Sequence, residues 1–554
     1  MARAFPPRRS VGVVAAVLLG AVAGGVAVGG RVAVAQNQRP TLLVLVVVDQ
    51  MRADYLTRFD ARFSHGFRRI LDQGRVFEQT FYPYLNTVTC AGHATLGTGA
   101  WPKTHGIILN EWYRRELGRV RACTADAATT PVQYGGIPEK ESHSAHELRV
   151  PTMAERLRER WPGSRAVSVA VKPRSAVMMA GKGATAVTWV GADGWQTSTA
   201  FAMAPVPEVS RALGVTFERE RGLVWERLLP EASYSGTDTG LGERPPTGWT
   251  GLFPHPLHSP EHPTQLIELW QTSPYADEQL GALATALVDS YRLGRRDAVD
   301  FLGVSFPATD KVGHDFGPES HELQDVLVRL DRTLGRLLES LDRLVGRDRY
   351  VLALSADHGV APVPEQRRAR GEVGGRVPLA TVADAVNAAL TDAGLGPGPH
   401  VARVEYTEVY FTEAARAKVT AETIGPVLAA IRAMPGVRTA VWTPALTALD
   451  AADPVVRAMQ AGFVAGRSGD ITLAPAPYWI FVPGRNPNGG NATTHGSSND
   501  YDQHVPLVFL GAPFAPGRVR EPATPADAAP TLAATVGLPF IAVEGRALAP
   551  GARR

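Results

Sequence analysis

The chain has 554 residues, enough to bury a large core and long for one plain domain, so a core sheet that carries insertions is expected. Its 57 basic and 54 acidic residues leave a formal net charge of +3, and no long basic run occurs. Composition therefore gives no reason to expect a nucleic-acid partner. The two cysteines, Cys90 and Cys123, lie outside any zinc-type cysteine cluster, so a metal site would depend on Asp and His.

The N-terminus has the features of an export signal. Several arginines precede an apolar stretch at residues 11–28, and the Ala-Val-Ala sequence that ends at residue 35 fits a small-residue cleavage site. This pattern predicts a signal peptide over residues 1–35 and a periplasmic or secreted protein, and the pair Arg8 and Arg9 is compatible with twin-arginine export. An uncleaved membrane anchor is the alternative. No later segment is long and apolar enough to span a bilayer.

The rest of the chain alternates strand and helix patterns, which is typical of an α/β fold with a mostly parallel sheet. Short apolar runs predict the strands, and amphipathic periodicity predicts the helices between them. In chain order, the predicted elements are a strand at residues 41–48, a helix at 63–71, a strand at 76–81, helices at 90–97 and 151–160, a strand at 166–171, a helix at 279–293, a strand at 300–306, a helix at 323–344, strands at 350–356 and 505–510, and a helix at 525–536.

Two regions interrupt this alternation. Residues 195–275 are rich in Pro, Gly, Trp and His and show little regular periodicity, which predicts an inserted cap or lid. Residues 377–480 contain helix and strand patterns of a smaller α+β type, ferredoxin-like or similar, and predict a second insertion. Both insertions are expected within one catalytic domain at residues 36–554.

Metal-type ligands follow three of the predicted strands. In open α/β sheets, ligands bind just beyond the carboxyl ends of the strands, so these side chains are expected at one edge of the sheet. A Gly/Asn/Ser-rich loop at residues 489–502 adds one more imidazole. Three carboxylates and three imidazoles are enough for two ions with three protein ligands each, an arrangement suited to phosphoryl transfer. The candidate ligands are Asp49, Asp310, His314, Asp357, His358 and His495.

Thr89 precedes the predicted helix at residues 90–97 and is expected to be its N-cap. A hydroxyl at that position faces unsatisfied backbone N–H groups and the positive end of the helix, which favour an anionic group or a developing oxyanion. A plain threonine N-cap is the alternative interpretation. Export would permit a disulfide between Cys90 and Cys123, although sequence spacing does not establish one.

Seven motifs together resemble the alkaline phosphatase superfamily, and most closely the bacterial secreted phosphatases that use a threonine nucleophile. These proteins are themselves similar to nucleotide pyrophosphatase/phosphodiesterases. The resemblance implies a three-layer α/β/α sandwich with a mostly parallel central sheet, an inserted cap and a smaller α+β lobe. The motifs, which occur in family order, are VVVDQMRADYL, NTVTCAGHATLGTG, THGIILN, VKPRSAVMMAGKGATAVTW, DKVGHDFGP, ADHG and THGSSNDYDQHVPLVFLG.

The resemblance also implies a role for each site residue. Asp49, Asp357 and His358 would hold one zinc ion, which also contacts and activates Thr89. A second zinc ion would be held by Asp310, His314 and His495. Thr89 would attack phosphorus and form a phosphothreonine intermediate, while Asn110, Lys172 and Arg174 would bind the phosphoryl oxygens.

Lys172 and Arg174 favour phosphate monoesters as substrates, because two cations match the dianionic group of a monoester and would be partly unpaired against a diester. The expected partners are therefore small-molecule phosphate monoesters, with a monomer favoured and no nucleic acid. A nucleotide pyrophosphatase/phosphodiesterase is the alternative in the same class, and a non-catalytic zinc-dependent envelope protein is the alternative in another. Sulfatase activity is not expected, since the sequence after Cys90 lacks the Pro and Arg of the sulfatase motif.

Overall fold

The computed structural model describes residues 39–135, 139–192, 194–213, 217–258, 261 and 263–551. The signal peptide predicted at residues 1–35 lies outside these ranges. In the part of the chain that is described, no helix combines the length and apolar character needed to cross a membrane.

Strands and helices alternate along the described chain. The strands are β1 (Leu42–Val48), β2 (Arg75–Phe77), β3 (Glu111–Arg114), β4 (Arg119–Ala122), β5 (Pro131–Gln133), β6 (Ala166–Ala170), β7 (Ala186–Val190), β8 (Trp195–Ser198), β9 (Val224–Trp225), β10 (His255–Pro256), β11 (Asp300–Phe306), β12 (Tyr350–Ser355), β13 (Gly375–Pro378), β14 (Val401–Glu405), β15 (Glu408–Phe411), β16 (Val437–Trp442), β17 (Ile471–Pro475), β18 (Trp479–Val482), β19 (Leu507–Gly511) and β20 (Gly517–Val519). The α-helices are α1 (Tyr55–Arg58), α2 (Gly66–Gln73), α3 (Thr89–Thr98), α4 (Pro102–His105), α5 (Met153–Arg160), α6 (Pro173–Ala180), α7 (Pro207–Leu213), α8 (Leu266–Gln271), α9 (Pro274–Ser290), α10 (Ala308–Phe316), α11 (His321–Leu344), α12 (Pro364–Ala369), α13 (Leu379–Leu390), α14 (Glu413–Arg416), α15 (Ala421–Arg432), α16 (Thr443–Leu446), α17 (Pro454–Gly462), α18 (Asp500–Gln503) and α19 (Ala528–Thr535).

The largest sheet has ten strands within the described residues, in the order β20-β2-β19-β12-β1-β11-β6-β7-β8-β5. Only β8 and β19 run antiparallel to their neighbours in this sheet, and the other pairs are parallel. Helices α3, α5, α6 and α19 pack together on one face, and α2, α9, α10 and α11 pack on the other. The predicted three-layer α/β/α sandwich with a mostly parallel sheet is confirmed.

The central strands of this sheet are easy to recognise in the sequence because they are buried on both faces. All seven residues of β1 and all seven of β11 are buried, because helices cover both faces of the sheet. A strand that is buried on both sides appears in the sequence as a continuous apolar run rather than an alternating one. The adjacent order β12-β1-β11-β6 places the carboxyl ends of four parallel strands side by side.

The prediction that Thr89 caps the helix after it is wrong by one residue. Thr89 is the first residue of α3, and Val88, which has an extended backbone with φ −128° and ψ 157°, occupies the N-cap position without a side-chain hydrogen bond. The Thr89 hydroxyl is therefore not used to cap the helix. Its side chain is free to face the edge of the sheet instead.

The two regions predicted as insertions differ in how they relate to the sheet. Residues 195–198, the start of the predicted cap, form β8 and pair with β7 and β5 in the main sheet. Residues 377–480 hold a separate four-stranded antiparallel sheet in the order β14-β15-β17-β16, packed against α13 and α15. Strands β13 and β18, at the two ends of this second region, pair in parallel with each other. The chain thus enters and leaves the α+β region through two neighbouring strands.

Candidate active site

Four neighbouring strands deliver the candidate site residues to one edge of the sheet. Asp49 follows β1, and Asp310 lies on α10, the helix directly after β11. The pair Asp357 and His358 follows β12, and Lys172 comes two residues after the end of β6. His495 arrives from the loop between β18 and α18. The carboxyl edge of a parallel sheet is where a doubly wound fold binds its ligand, and the site residues meet there.

One group of three possible metal ligands consists of Asp310, His314 and His495, whose ligand atoms lie within 4.8 Å of one another. Asp310 Oδ1 is 3.3 Å from His314 Nε2 and 3.7 Å from His495 Nε2. His314 follows Asp310 by one helical turn of α10, so both side chains project from the same face of that helix. His495 completes the group from a loop that lies far away in the sequence.

The second group consists of Asp49, Asp310 and His358, again within 4.8 Å. The sequence assigns Asp357 rather than Asp310 to this set, and Asp357 lies beside it, with Oδ2 3.4 Å from His358 Nε2. His358 Nε2 is also 3.6 Å from Asp49 Oδ1, and the His358 ring stacks on His495 with a centroid distance of 3.4 Å. All six predicted ligands therefore belong to one contiguous cluster, with Asp310 shared by both groups.

Three backbone carbonyls orient the three imidazoles. Nδ1 of His314 lies 2.9 Å from the carbonyl oxygen of Thr493, and Nδ1 of His495 lies 2.9 Å from that of Thr87. His358 makes the same contact, also at 2.9 Å, with the carbonyl of Gly359. A carbonyl can only accept a hydrogen bond, so each Nδ1 carries a proton and each ring turns its Nε2 toward the cluster. A metal ligand needs this orientation.

The electrostatics of the cluster suit a cation. Burial, reinforced by the negative charges of Asp310 and Asp357, raises the pKa of the Asp49 carboxyl well above its usual value. Burial, together with the neighbouring imidazoles His358 and His314, lowers the pKa of His495 well below its usual value. The cluster thus combines carboxylates that repel one another with an imidazole that resists protonation, and a bound cation would relieve the repulsion.

Two buried carboxylate oxygens support the same conclusion. Asp49 Oδ1 has no hydrogen-bond partner among the described residues, and Asp357 Oδ2 has only the ring nitrogens of His93 and His358 beside it, at 3.2 and 3.4 Å. Buried carboxylate oxygens normally have partners, because leaving one unsatisfied is costly. These two oxygens are therefore suited to coordinate a cation. Zinc accepts carboxylate oxygens together with imidazole nitrogens as ligands.

Lys172 lies in the cluster rather than apart from it. Its Nζ is 2.7 Å from Asp49 Oδ2 and 2.5 Å from Asp310 Oδ2. Burial alone would raise the pKa of the Asp310 carboxyl, but Lys172, with His314, holds it well below its usual range. The sequence predicts that Lys172 contacts phosphoryl oxygens, whereas the structure pairs it with two of the candidate metal ligands.

Thr89 lies at the same edge of the sheet, at the start of α3. Its side chain is buried, and its Oγ1 is 3.3 Å from His358 Nε2. Nearby, the Asn110 amide oxygen accepts a hydrogen bond of 2.8 Å from the Cys90 N–H. The structure therefore brings a hydroxyl into contact with the candidate metal cluster, with an amide held next to it.

Asn110 and Arg174 line a cavity of about 390 Å³. Glu405 and Tyr406, from the α+β lobe, also line it. Arg174 Nε is buried without a hydrogen-bond partner among the described residues, so the guanidinium retains donors for a ligand. The cavity is thus bordered by two hydrogen-bond donors that suit an oxyanion.

Two residues at the site were missed by the sequence analysis. Gln50 has a positive φ of 66°, its N–H donates to Asp357 Oδ1 and its side-chain amide donates to Asp310 Oδ1, so it orients two carboxylates at once. Tyr406, also at positive φ, donates from its hydroxyl to the carbonyl of His495. Gln50 could have been predicted as a site residue, because it directly follows Asp49 at the end of a strand. Tyr406 gave no such signal, because its contact joins the α+β lobe to the loop that carries His495, 89 residues further along the chain.

The disulfide that the sequence left open is present between Cys90 and Cys123. It joins the first turn of α3 to the residue that follows β4. Both cysteines are fully buried.

Fold and site together define a phosphoric ester hydrolase, and the sequence comparisons agree. The profile of the family described as "Type I phosphodiesterase / nucleotide pyrophosphatase" matches residues 43–502, so the chain belongs to that family. The chain is 31% identical to alkaline phosphatase PhoV of Synechococcus elongatus, over 90% of each chain. It is 30% identical to alkaline phosphatase PafA of Elizabethkingia meningoseptica, over 91% of this chain and 92% of that protein.

A solved structure confirms the fold. The crystal structure of wild-type alkaline phosphatase PafA superposes with a TM-score of 0.85 and 29% identity, covering 93% of this chain and 99% of that one. The resemblance to the alkaline phosphatase superfamily predicted from the motifs is confirmed. A non-catalytic envelope protein, one of the alternatives, is not supported, because the family and these relatives make the chain an enzyme.

Proposed function

We propose that this chain is a zinc-dependent alkaline phosphatase that hydrolyses phosphate monoesters with Thr89 as the nucleophile. One observation carries the proposal: six Asp and His side chains from four distant segments form a single cluster in contact with the Thr89 hydroxyl. Two groups of three ligands suit a pair of divalent ions that each retain an open position. The activity given in the names of PhoV and PafA supports the same conclusion.

We assign the ligands to two zinc ions. Asp49, Asp357 and His358 would hold one ion, and Asp310, His314 and His495 would hold the other. Asp310 belongs to both groups of possible ligands, and Asp357 lies beside the second group. The three imidazoles support this assignment, because each one donates from Nδ1 to a backbone carbonyl and turns Nε2 toward the cluster.

The reaction proceeds in two steps at Thr89. Bound zinc supplies Lewis acidity to the ester oxygens and stabilises the deprotonated form of a hydroxyl near it. The Thr89 oxygen attacks phosphorus in line, the alcohol leaves, and a phosphothreonine forms that water then hydrolyses to free phosphate. The Asn110 amide nitrogen donates to one phosphoryl oxygen, and the Arg174 guanidinium, on the same cavity, donates to others.

Lys172 and Arg174 make the site selective for monoesters. A monoester has two negative charges on its non-bridging oxygens. Arg174 lines the cavity that would receive them, and Lys172, two residues earlier, adds a second positive charge next to the metal-ligand cluster. A diester has one charge and a second bulky group, which would leave part of this positive charge unmatched. The ion pairs of Lys172 with Asp49 and Asp310 support a second effect, in which the same ammonium limits repulsion between two ligand carboxylates.

A nucleotide pyrophosphatase/phosphodiesterase is the second candidate, since the family description names that activity. The test compares kcat/KM for an aryl phosphate and for the matching diaryl phosphate. We expect the wild-type enzyme to prefer the monoester. The double variant Lys172→Ala with Arg174→Ala is expected to lose about 10²-fold or more on the monoester and far less on the diester.

Lys182→Ala is the matched control, because Lys182 lies just after the same helix and its ammonium donates to the Leu148 carbonyl instead of to a candidate ligand. It should leave both activities close to wild type. Zinc content is measured for every variant, since Lys172 also contacts ligand carboxylates. Equal losses on the two substrates at equal zinc content would contradict the proposed selectivity, and a wild-type preference for the diester would favour the second candidate.

We also propose that residues 1–35 are removed as a signal peptide and that the enzyme acts in the periplasm or outside the cell as a monomer. The insertions at residues 195–275 and 377–480 are proposed as a cap and a lobe of one catalytic domain. The intact mass of the exported protein distinguishes cleavage after residue 35 from a retained anchor.

A further inference from the structure

Asn110 is held by both halves of the disulfide. The N–H of Cys90 donates to the Asn110 side-chain oxygen at 2.8 Å, and the N–H of Cys123 donates to the Asn110 main-chain oxygen, also at 2.8 Å. The two cysteines are bonded to each other through sulfur. Asn110 is therefore enclosed by two hydrogen bonds whose donors are joined by a covalent link.

The hydrogen bond from Cys90 fixes which way the amide points. Cys90 is the second residue of α3, and the first four N–H groups of a helix lack partners within the helix. Because the Cys90 N–H can only donate, the acceptor must be the amide oxygen of Asn110. The amide nitrogen of Asn110 therefore faces away from α3. Asn110 lines the cavity next to Arg174, and its nitrogen has no acceptor among the described residues. The nitrogen is thus available to a phosphoryl oxygen.

The segment that carries Asn110 lies at the end of a short hairpin. Asn110 and Cys123 lie at the open end of the hairpin β3–β4, one residue beyond the last strand pair, Glu111 with Ala122. This hairpin forms a separate two-stranded sheet, which packs through the buried Trp112 and against the α+β lobe through Tyr113 and Tyr410, whose ring centroids are 5.5 Å apart. The disulfide ties its open end to α3, the helix that begins with Thr89.

We propose that the Cys90–Cys123 disulfide is a positioning device for catalysis, which fixes the distance between the Asn110 amide and the Thr89 hydroxyl. The proposal rests on the proposed function of Thr89 and Asn110. Both cysteines are buried. Without the disulfide, the hairpin end can shift relative to α3, and the amide no longer meets the phosphoryl oxygen in one fixed geometry.

A double-mutant cycle tests this role against a purely structural one. The disulfide is removed with Cys90→Ala and Cys123→Ala, and the same pair is combined with Asn110→Ala. We expect Asn110→Ala alone to lower kcat/KM for an aryl phosphate about 10²-fold, and loss of the disulfide alone to lower it about tenfold. With Asn110 already replaced, removing the disulfide should cost less than about twofold.

Equal fold-losses in the two backgrounds would overturn the proposal, because a general loss of stability does not depend on Asn110. No loss in the disulfide-free enzyme would also overturn it. Inhibition by inorganic phosphate provides a second readout, and the inhibition constant should rise in the disulfide-free enzyme only when Asn110 is present. If Asn110→Ala itself has no effect, the assigned role of Asn110 in the proposed function fails instead.

Reduction of the wild-type enzyme is the second route if the cysteine variants do not fold. A water-soluble phosphine in the presence of excess zinc converts the disulfide and one water to two thiols and the phosphine oxide. Activity is followed against the number of alkylatable thiols, with zinc content and circular dichroism as controls. The proposal predicts that activity falls in step with thiol formation at unchanged zinc content and unchanged circular dichroism, and that the reduced Asn110→Ala enzyme keeps its residual rate. Full activity in the reduced enzyme would overturn it.

Discussion

Single hydrogen bonds determine what the site residues can do. The carbonyls of Thr87 and Thr493 fix the tautomers of His495 and His314, and Gln50 orients Asp310 and Asp357 through its two N–H donors. The sequence predicts which side chains are ligand types, because Asp and His after strand ends are recognisable. It cannot predict their orientation, since Thr87 and Thr493 reach the imidazoles only through the fold.

Replacing Thr89 tests the nucleophile at the scale of one residue. We expect Thr89→Ala to lower kcat for an aryl phosphate roughly 10³-fold or more, because the attacking oxygen is lost. Zinc content should remain close to two ions per chain, since six other side chains form the cluster. The measurements are steady-state kinetics and metal analysis on the same preparation.

Thr89→Ser is the matched control for this experiment. It retains a hydroxyl at the start of α3 and should keep activity within about tenfold of wild type. Near-normal turnover in the alanine variant would refute Thr89 as the nucleophile. Loss of zinc in the alanine variant would leave the metal site, rather than the nucleophile, as the cause of inactivity.

At the scale of elements, burial decides which parts of the fold are predictable. The strand predicted at residues 300–306 coincides with β11, since all seven of its residues are buried and five are apolar or glycine. Strand β8 was missed because Gln196, Thr197 and Ser198 are polar, although they are just as buried. A strand was predicted at residues 76–81, but the observed strand β2 ends at Phe77. Only its three residues, Arg75 to Phe77, form ladder pairs with the neighbouring strands. Polar residues in a sheet become recognisable only when their partners are known.

Helix α10, which carries Asp310 and His314, is anchored by a buried carboxyl. Asp277 of α9 accepts a hydrogen bond of 3.2 Å from the N–H of Ala308, the first residue of α10. Burial raises the pKa of Asp277 to about 8, so the carboxyl is neutral at pH 7. The folded protein therefore keeps a proton on Asp277 at neutral pH. In the unfolded chain, the same carboxyl loses its proton above the ordinary Asp pKa of about 3.9.

This proton makes stability depend on pH in a defined direction. Its contribution is fully present below about pH 4, is lost progressively as the pH rises, and changes no further above about pH 8. Asp277→Asn keeps the acceptor for Ala308 and stays neutral at every pH. The unfolding free energy of the variant minus that of wild type should therefore increase with pH. Between pH 5 and 7, the increase should be up to about 1.4 kcal/mol for each pH unit.

Denaturant unfolding of both proteins across this pH range gives the required difference. Asp289→Asn is the matched control, because Asp289 is on the same helix with a side chain 62% exposed. Its difference from wild type should show almost no pH dependence. A flat difference for Asp277→Asn would show that the Asp277 carboxyl is ionised in the folded protein.

The whole molecule brings together residues that are far apart in the chain. Four central strands align the segments after residues 48, 170, 306 and 355 at one edge, and the loop with His495 closes the cluster from the side of the α+β lobe. The order of the motifs in the sequence was enough to predict the superfamily, and the six side chains proposed as ligands lie together in the fold. The ion pairs of Lys172 with Asp49 and Asp310 were not predictable, because they depend on the spacing of neighbouring strands.

The account depends most on two zinc ions in this cluster, and anomalous diffraction at the zinc absorption edge tests it most directly. Crystals of the zinc-loaded enzyme should show two anomalous peaks per chain, one beside Asp49, Asp357 and His358 and the other beside Asp310, His314 and His495. Both peaks should vanish in data collected below the edge. A single peak, or peaks away from these side chains, would contradict the proposed two-zinc mechanism.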